Sequence, residues 1–326
     1  MEQERRAIRW GVVLILLAAA WRVATGGAGT SLFDGPRVAA LLVSMATGRE
    51  VHLPLQHETE GAQLWEPEQP TEPQRPAPLF SGEESELVDV YALCSYPVDI
   101  TKLLTQPLCW DLTENDPAVL ILHTHATESY EKNAQNYQEH GEYRTLDEDY
   151  NMLRVGQTVA QALESYGISA IQDTKLHDYP SYTGSYNNSR ESAKEYLKQY
   201  PSLRVVLDLH RDAAENPNGS QMDTSATVDG KESAQLMFVV GTNASGLEHP
   251  NWQENMALAV KLQAILEKRW PGICRPICFR EERFNQDLMG GALLVEVGAA
   301  GNTQEEALLA ARCLSWALGQ LAYGAN

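Results

Sequence analysis

The sequence predicts an α/β fold in which a mixed, mostly parallel sheet carries helices on both faces, preceded by an N-terminal membrane anchor and a proline-rich spacer. Three observations lead to this prediction. From residue 118 onward, short apolar runs alternate with amphipathic helical stripes, which is the pattern of buried strands joined by crossover helices. An apolar run follows three arginines near the N-terminus, and prolines cluster between that run and residue 80. The predicted divisions are residues 1–30, 31–115 and 116–326.

The strands are predicted from apolar runs of four or five residues, because such runs suit a sheet that is buried on both faces. They are residues 119–122, 168–171, 205–209, 236–240 and 293–297. The helices are predicted from apolar positions three or four residues apart, and they cover residues 148–166, 189–199, 256–266 and 304–321. Because strands and helices alternate, the helices are expected to cross over both faces of the sheet.

Residues 1–30 are predicted to be a membrane anchor. The uncharged apolar run at residues 10–21 would reach only about 18 Å of the roughly 30 Å hydrocarbon core as a helix, whereas a helix extended to Gly29 would reach about 30 Å. Basic residues before an apolar run predict a cytoplasmic N-terminus. The small residues at positions 24, 26 and 28 also suit a cleaved signal peptide, and both interpretations place the remainder of the chain outside the cytoplasm.

The composition excludes several classes of protein. Hydrophobic residues make up 43% of the chain and charged residues 21%, which rules out wholesale disorder and a multi-span membrane protein. The formal net charge is −19, so no nucleic-acid partner is expected, because phosphate backbones require clustered Lys and Arg. Prolines among Glu and Gln at residues 54–78 predict a stiff, solvated spacer. The five cysteines are compatible with one or two disulfides or with packed thiols.

Chemically reactive side chains follow three of the predicted strands, near the point where each strand ends. His123, His125 and Glu128 come after the first strand, His210 follows the third, and Glu296 lies in the last. Ligand sites of open α/β sheets lie at the carboxyl ends of their strands, so these side chains are expected to converge. A hydrophobic core does not require such a convergence, because burying unpaired polar groups costs free energy.

Zinc would explain these residue types. It binds imidazole nitrogen and carboxylate oxygen, and a hydrolytic site uses three protein ligands with the fourth position left for water. The predicted ligands are His125 and Glu128 from one loop and His210 from a neighbouring strand. Glu296 is then the predicted general base, which takes a proton from the activated water. Residues 116–326 are accordingly predicted to form a zinc hydrolase domain.

Some of these assignments stay open from the residues alone. His123 is the alternative to His125, because the two lie two positions apart and an extended backbone would send both side chains the same way. Arg211 is expected either to hold a substrate carboxylate or the developing oxyanion, or to pair with Asp212 beside the site. The two further candidate substrate-binding residues are Arg190 and Asn285.

Five segments of this sequence are similar to those of one known family. They are ILHTHATESY (121–130), SYNNSR (185–190), LDLHRDA (207–213), FNQDL (284–288) and LLVEVGAAGNTQEEA (293–307). Together they resemble the stage II sporulation protein P family in consistent order over roughly residues 118–325. The upstream apolar segment and spacer also resemble that family's layout, whereas residues 31–115 match only as a variable membrane-proximal stretch.

The resemblance implies a zinc-dependent N-acetylmuramoyl-L-alanine amidase with an amidase-like (phosphorylase/hydrolase-like) fold. Such enzymes cut the muramoyl–L-alanine bond of peptidoglycan, and the family is described as cutting peptide crosslinks as well. The resemblance further implies a role in engulfment during sporulation, an anchor in the mother-cell membrane around the forespore, and two partners. These partners are stage II sporulation protein D, a lytic transglycosylase, and stage II sporulation protein M, a membrane scaffold.

The resemblance also assigns site residues by motif. The histidine of the HTHATES segment, Glu128 and His210 would be metal ligands, and Glu296 would be the catalytic carboxylate. Ordinary amidases of the wider group place the ligand glutamate far downstream of the first histidine, just before a helix. The corresponding stretch here is LDEDYNML, which makes Glu148 the alternative to Glu128.

Two other functions are compatible with the same residues. A metallocarboxypeptidase-like peptidase shares the arrangement of a His and a Glu three residues apart with a distant second His. A non-catalytic peptidoglycan-binding module would be a degenerate hydrolase that holds the wall without cutting it. The complete set of two histidines and two glutamates argues against the binding module, because an inactive site tends to lose at least one of them.

Overall fold

The computed structural model describes residues 80–108, 111–113, 117–131 and 143–324, all of which belong to one unit, Glu66–Asn326. The predicted anchor at 1–30 and the predicted spacer at 54–78 lie outside the described residues. Within the described part of the chain, no helix combines the length and the apolar character needed to cross a bilayer.

The core of the fold is a mixed, mostly parallel sheet. The described strands are β1 (Val90–Ala92), β2 (Val119–Leu122), β3 (Ala170–Gln172), β4 (Val205–Asp212), β5 (Ser225–Val228), β6 (Lys231–Ala234), β7 (Leu236–Val240), β8 (Ile277–Phe279) and β9 (Ala292–Ala299). Seven of them form one sheet in the order β1-β8-β7-β9-β4-β2-β3. Its neighbouring pairs are parallel except β7 and β9, which are antiparallel. Strands β5 and β6 form a separate antiparallel hairpin.

Five α-helices accompany these strands within the described residues. They are α1 (Ile100–Thr105), α2 (Met152–Ser165), α3 (Ser185–Gln199), α4 (Trp252–Arg269) and α5 (Gln304–Tyr323). Helix α2 begins where the Asn151 side chain accepts the Leu153 N–H, and α5 begins with a capping box formed by Thr303 and Glu306. Both arrangements satisfy backbone N–H groups that have no partner inside the helix.

Helices cover both faces of the sheet. Helix α3 packs on the face that carries Leu120, Leu122 and Val206, to which it contributes Ala193. Helix α5 packs against both α2 and α4, and all three contact the central strands. Since side chains alternate along a strand, Asp208 and His210 share the face of Val206. The α3 face is therefore the one that carries the polar residues at the strand ends.

The sheet begins earlier in the chain than residue 116. Strand β1 pairs in parallel with β8, and α1 packs against α4, although both lie in the predicted membrane-proximal region. Cys94 of this segment is free, as are Cys274, Cys278 and Cys313. The four described cysteines are thus unpaired thiols, and three of them are buried.

A buried lysine connects this early segment to the rest of the fold. Lys261 of α4 is 1% exposed, its ammonium donates to the Leu104 carbonyl, and it lies 4.7 Å from the centre of the Phe80 ring. Burial lowers the pKa of this ammonium to about 8. The folded protein therefore carries the charge of Lys261 at a cost in free energy at neutral pH.

This cost predicts a pH dependence of stability. An unfolded lysine has a pKa of about 10.4, so above pH 8 the unfolded state binds more protons than the folded state, and the free energy of unfolding should rise up to about pH 10. Lys261→Met should lack this contribution when urea unfolding is measured across the same range. Lys231→Met, which replaces an exposed lysine, is the control. Equal pH dependence in the wild type and Lys261→Met would contradict the prediction.

Candidate functional site

The candidate site lies at the carboxyl ends of β2, β4 and β9, which are adjacent and parallel. His210 of β4 stands opposite Glu296 of β9 in the register. Strand β2 ends at Leu122, opposite Asp208, and continues into a turn that contains His125 and Glu128. The shared direction of these three strands is what brings their polar residues to one edge.

The turn after β2 is fixed by Asp208. The Thr124 N–H and hydroxyl donate to the two Asp208 carboxylate oxygens at 2.8 and 2.6 Å, and the Thr124 hydroxyl also lies 2.7 Å from the Ser189 hydroxyl of α3. A bond from the Glu128 N–H to the His125 carbonyl, 3.1 Å long, closes the turn. These bonds end the extended backbone of β2 directly after His123.

The side chains of His123 and His125 consequently lie in different surroundings. His123 is fully buried, and its Nε2 lies 3.0 Å from Gln172 Nε2. A Cβ added at Gly156 of α2 would stand 2.4 Å from the same His123 nitrogen, so α2 packs directly on this ring. The expectation that both side chains face the same way assumed an extended backbone, and the turn at Thr124 overturns it. His125 is the histidine that reaches the strand-end cluster.

His125, Glu128 and His210 are brought together. The rings of His125 and His210 have centroids 5.2 Å apart and lie at 85°, and His210 Nδ1 is 3.7 Å from Glu128 Oε2. All three side chains are nearly buried. Glu128 is held in place by the Arg211 N–H, which donates to Oε2 at 3.2 Å, and by Arg144, which donates to Oε1 at 3.4 Å.

Asp208 also contacts His210. Its Oδ1 lies 3.1 Å from His210 Nε2, without the alignment of a hydrogen bond. Burial lowers the pKa of His210, but the Asp208 carboxylate outweighs it, with help from Glu128 and Glu296, and the pKa rises to about 9. For His125, burial and the neighbouring His210 both act downward and lower the pKa to about 3. The two imidazoles thus sit in opposite electrostatic environments.

Glu296 is partly buried, and one of its carboxylate oxygens is enclosed by the protein. Its Oε2 has no hydrogen-bond partner among the described residues. Burial raises the pKa of Glu296 to about 8, with a smaller upward contribution from Glu128 that the charge of His210 opposes. A carboxyl group in this position is suited to accepting and returning a proton near neutral pH.

Two tyrosines form the wall of the site on the side of α3. The Tyr182 ring stacks on His125 with centroids 4.5 Å apart at 10°, and it is 58% exposed. The Tyr186 ring meets His125 edge-on at 5.5 Å and lies nearly parallel to His210 at 6.4 Å. The Arg144 guanidinium lies 4.9 Å from the centre of the Tyr182 ring. Aromatic rings therefore cover the imidazoles from one side.

Arg211 does not present its guanidinium to the site. Its Nε donates to the Ser129 carbonyl at 3.0 Å and its Nη2 to the Tyr143 carbonyl at 2.8 Å. The alternative pairing with Asp212 is not formed either, because Asp212 pairs with Arg275 at 2.7 Å. The contribution of Arg211 is to hold the loop that carries Glu128.

The two candidate substrate-binding residues contact each other instead. Arg190 donates to both oxygens of Asp287 at 2.7 and 2.6 Å and to Asn285 Oδ1 at 3.2 Å. Asn285 Nδ2 donates to the Tyr186 carbonyl at 2.8 Å. These bonds fix the first turns of α3 to the loop before β9, and so they support the Tyr186 wall from behind.

Glu148 is not part of the cluster. It is exposed, in the turn that precedes α2, whereas Glu128 is buried beside His210. Of the two alternatives, Glu128 is the carboxylate that the structure places with the histidines.

Sequence reasoning did not single out Asp208 or Thr124. Asp208 lies within the predicted strand at 205–209, yet it stands two positions before His210, and a period of two puts both side chains on the same face. That spacing was a usable signal. The role of Thr124 was not readable, because it depends on a turn that only the packing against β4 defines.

The donor set is not arranged as a complete metal site in the described ranges, where no group of three His, Cys, Asp or Glu side chains has that arrangement. Several buried atoms nevertheless lack a hydrogen-bond partner there, including His125 Nδ1, His210 Nε2 and Glu296 Oε2. Such atoms are rare in folded proteins, and an ion or a water molecule commonly accounts for them.

Comparison with known proteins gives one family and one curated relative. The model of the family described as Stage II sporulation protein P (SpoIIP) matches residues 48–319. The chain is 32% identical over 225 residues to Stage II sporulation protein P of Bacillus subtilis (strain 168), and the match covers 66% of this chain and 53% of that protein. The chain thus spans about half the length of that curated relative.

Solved structures of amidases are distantly similar. The CwlD amidase from Clostridioides difficile, solved in complex with the GerS lipoprotein, has a TM-score of 0.40 at 14% identity, covering 63% of this chain and 98% of that one. The N-acetylmuramoyl-L-alanine amidase AmiC2 of Nostoc punctiforme has a TM-score of 0.36 at 15% identity, covering 63% and 94%. These similarities are too distant to assign an activity.

Proposed function

This chain belongs to the stage II sporulation protein P family, and from that membership and the strand-end cluster we propose that it is a zinc-dependent peptidoglycan hydrolase. The proposed reaction is that of an N-acetylmuramoyl-L-alanine amidase, which cuts the bond between muramic acid and L-alanine. The observation that carries the proposal is the meeting of His125, Glu128 and His210 beside Glu296.

The distances between the proposed ligands suit a shared cation. Donor atoms bound to a tetrahedral zinc at about 2.0–2.1 Å lie roughly 3.3 Å from one another, and two bound imidazoles have centroids roughly 5 Å apart. The corresponding values here are 3.7 Å between His210 Nδ1 and Glu128 Oε2 and 5.2 Å between the His125 and His210 rings. A metal would also give the unpartnered His125 Nδ1 a ligand role. Asp208 would orient His210 from its other nitrogen, as carboxylates commonly do for metal-bound imidazoles.

The proposed reaction uses Glu296 twice. Zinc, when bound, would act as a Lewis acid and lower the pKa of water. Water adds to the carbonyl carbon of the muramoyl lactyl group while Glu296 takes its proton, and the carbonyl oxygen becomes an oxyanion. Collapse of this tetrahedral species breaks the C–N bond, and Glu296 returns the proton to the leaving amine of L-alanine. The products are a carboxyl group on muramic acid and a stem peptide with a free amine.

The cellular setting is proposed from the family and from the N-terminal sequence. The enzyme would act in sporulation, during engulfment, from the mother-cell membrane around the forespore. Residues 1–30 would anchor it with the N-terminus in the cytoplasm, and the spacer at 54–78 would hold the catalytic part near the wall. Stage II sporulation proteins D and M are the proposed partners, and cleavage of peptide crosslinks is a proposed second activity.

Mass spectrometry of the fragments released from purified peptidoglycan tests the proposed function. Incubation with the protein should release whole stem peptides with a free N-terminal alanine, and a chelator should abolish this release. Release of single amino acids from sugar-free peptides would instead identify a carboxypeptidase. Binding to peptidoglycan without any released fragment would identify a binding module, and undiminished release in chelator would contradict the metal requirement.

A further inference from the structure

The proposed reaction calls for a hydrogen-bond donor to the oxyanion, and the nearby arginines are engaged with other groups. Arg211 donates from Nε and Nη2 to the backbone carbonyls of Ser129 and Tyr143. Arg190 donates to Asp287 and Asn285, and Arg144 donates to Thr127, Glu128 and Asp178. Donors that are preorganised toward a developing oxyanion account for a large part of catalysis in acyl transfer. Another donor is therefore to be sought at the edge of the cluster.

Tyr186 stands at that edge with a free hydroxyl group. Its ring contacts both imidazoles of the proposed ligand set, at 5.5 Å from His125 and 6.4 Å from His210. The backbone carbonyl of Tyr186 accepts hydrogen bonds from the side chains of Ser189 and Asn285. Among the described residues, no donor or acceptor bonds to the phenol oxygen.

The phenol group of Tyr186 is a hydrogen-bond donor and not an anion. Burial raises the pKa of Tyr186 well above its ordinary value, and the negative charges of Asp208, Glu296 and Glu128 raise it further. A tyrosine hydroxyl is protonated at neutral pH even at its ordinary pKa, so it is present as a donor.

The ring is also held rigidly, as a preorganised donor requires. Tyr186 lies in the first turn of α3, which the Arg190–Asp287 pair fixes to the loop before β9. Asn285 binds the Tyr186 carbonyl at 2.8 Å, and the Phe284 ring packs at 6.1 Å. Tyr182, by contrast, is 58% exposed and lies flat on His125.

We propose that Tyr186 is a further catalytic residue, whose phenol O–H donates a hydrogen bond to the oxygen of the scissile carbonyl as that oxygen becomes an oxyanion. No proton is transferred from Tyr186 in this step, and the hydrogen bond is released when the C–N bond breaks. The inference rests on the proposed hydrolase function, since it concerns the same site.

Tyr186→Phe tests the inference, because phenylalanine keeps the ring against both imidazoles and removes only the hydroxyl. In the full-length protein acting on purified peptidoglycan, kcat should fall by about 10²–10³-fold, as for loss of one oxyanion donor. The KM, the zinc content and the thermal midpoint should stay close to wild type. Tyr196→Phe is the matched control, because Tyr196 lies further along α3 and packs against the apolar cluster of Leu122 and Val206; this variant should retain its turnover.

Three outcomes would overturn the inference. Near-normal kcat in Tyr186→Phe would remove the hydroxyl from the reaction. Loss of zinc or of thermal stability in that variant would make Tyr186 a packing residue. An equal loss in Tyr196→Phe would indicate a general effect of removing a tyrosine hydroxyl from α3. A wild-type protein that releases no fragments would instead contradict the proposed function, and the two failures are thus distinguishable.

Discussion

Glu296→Gln is expected to lower kcat on peptidoglycan by about 10²–10⁴-fold, the usual contribution of a general base. Glutamine has nearly the same shape as glutamate but cannot take a proton from water or return one to the leaving amine. The effect should be large because Glu296 Oε2 is buried and has no partner among the described residues. No other described carboxylate pairs in the register with His210 of β4.

The measurement is steady-state release of stem peptides together with the zinc content of each preparation. Glu296→Gln should bind zinc as the wild type does, since Glu296 is not a proposed ligand. Glu232→Gln, on the exposed side of the β5–β6 hairpin, is the control and should behave as the wild type. Turnover within a few-fold of wild type in Glu296→Gln would exclude Glu296 as the base.

Replacing a proposed ligand should have an equally large effect through loss of the metal. The wild type should carry about one zinc per chain by elemental analysis, and His210→Ala and His125→Ala should each lose most of it, because a hydrolytic zinc site has only three protein ligands. Activity should fall to background in both variants. Asp208 keeps its bonds from Thr124, so His210→Ala is expected to preserve the turn after β2.

His123→Ala is the matched control for this series. It removes a histidine two positions from His125 whose contacts are with Gln172 and α2. This variant should be less stable, because a buried ring is lost beneath α2, yet it should retain its zinc. Zinc loss in His123→Ala with retention in His125→Ala would reverse the assignment, and equal zinc content in every variant would contradict the site.

The main strands could be predicted from the sequence because they are buried on both faces. The apolar runs at 119–122 and 236–240 coincide with β2 and β7, and the helix at 304–321 is nearly the whole of α5. Strands β1 and β8 have only three residues each, which is too short for a periodic pattern. They form because a neighbouring strand offers hydrogen bonds, and that information is not local in the sequence.

The β5–β6 hairpin was also missed, although a signal was present. Asp229 and Gly230 both have positive φ, at 47° and 79°, and an Asp-Gly pair favours the tight turn that joins two antiparallel strands. The flanking strands are mostly polar and half of their residues are exposed, so no hydrophobic pattern indicated two strands there. Turn chemistry alone would have been the better guide there.

For the site, the sequence could place side chains at strand ends but could not orient them. The convergence of His125, Glu128, His210 and Glu296 follows from the parallel direction of three strands, which alternating strands and helices predict. The separation of His123 from His125 depends on the turn that Asp208 fixes through Thr124. The engagement of Arg211 likewise depends on distant carbonyl groups, which no spacing along the chain reveals.

Arg211 joins two parts of the chain that are distant in sequence from each other. Arg211 donates to the carbonyls of both Ser129 and Tyr143, and the Ser129 N–H donates to the Tyr143 carbonyl, so these three residues are bonded to one another. Glu128 itself is held by the Arg211 backbone N–H, so these contacts among described residues would keep it in place if the sequence between Ser129 and Tyr143 changed in length.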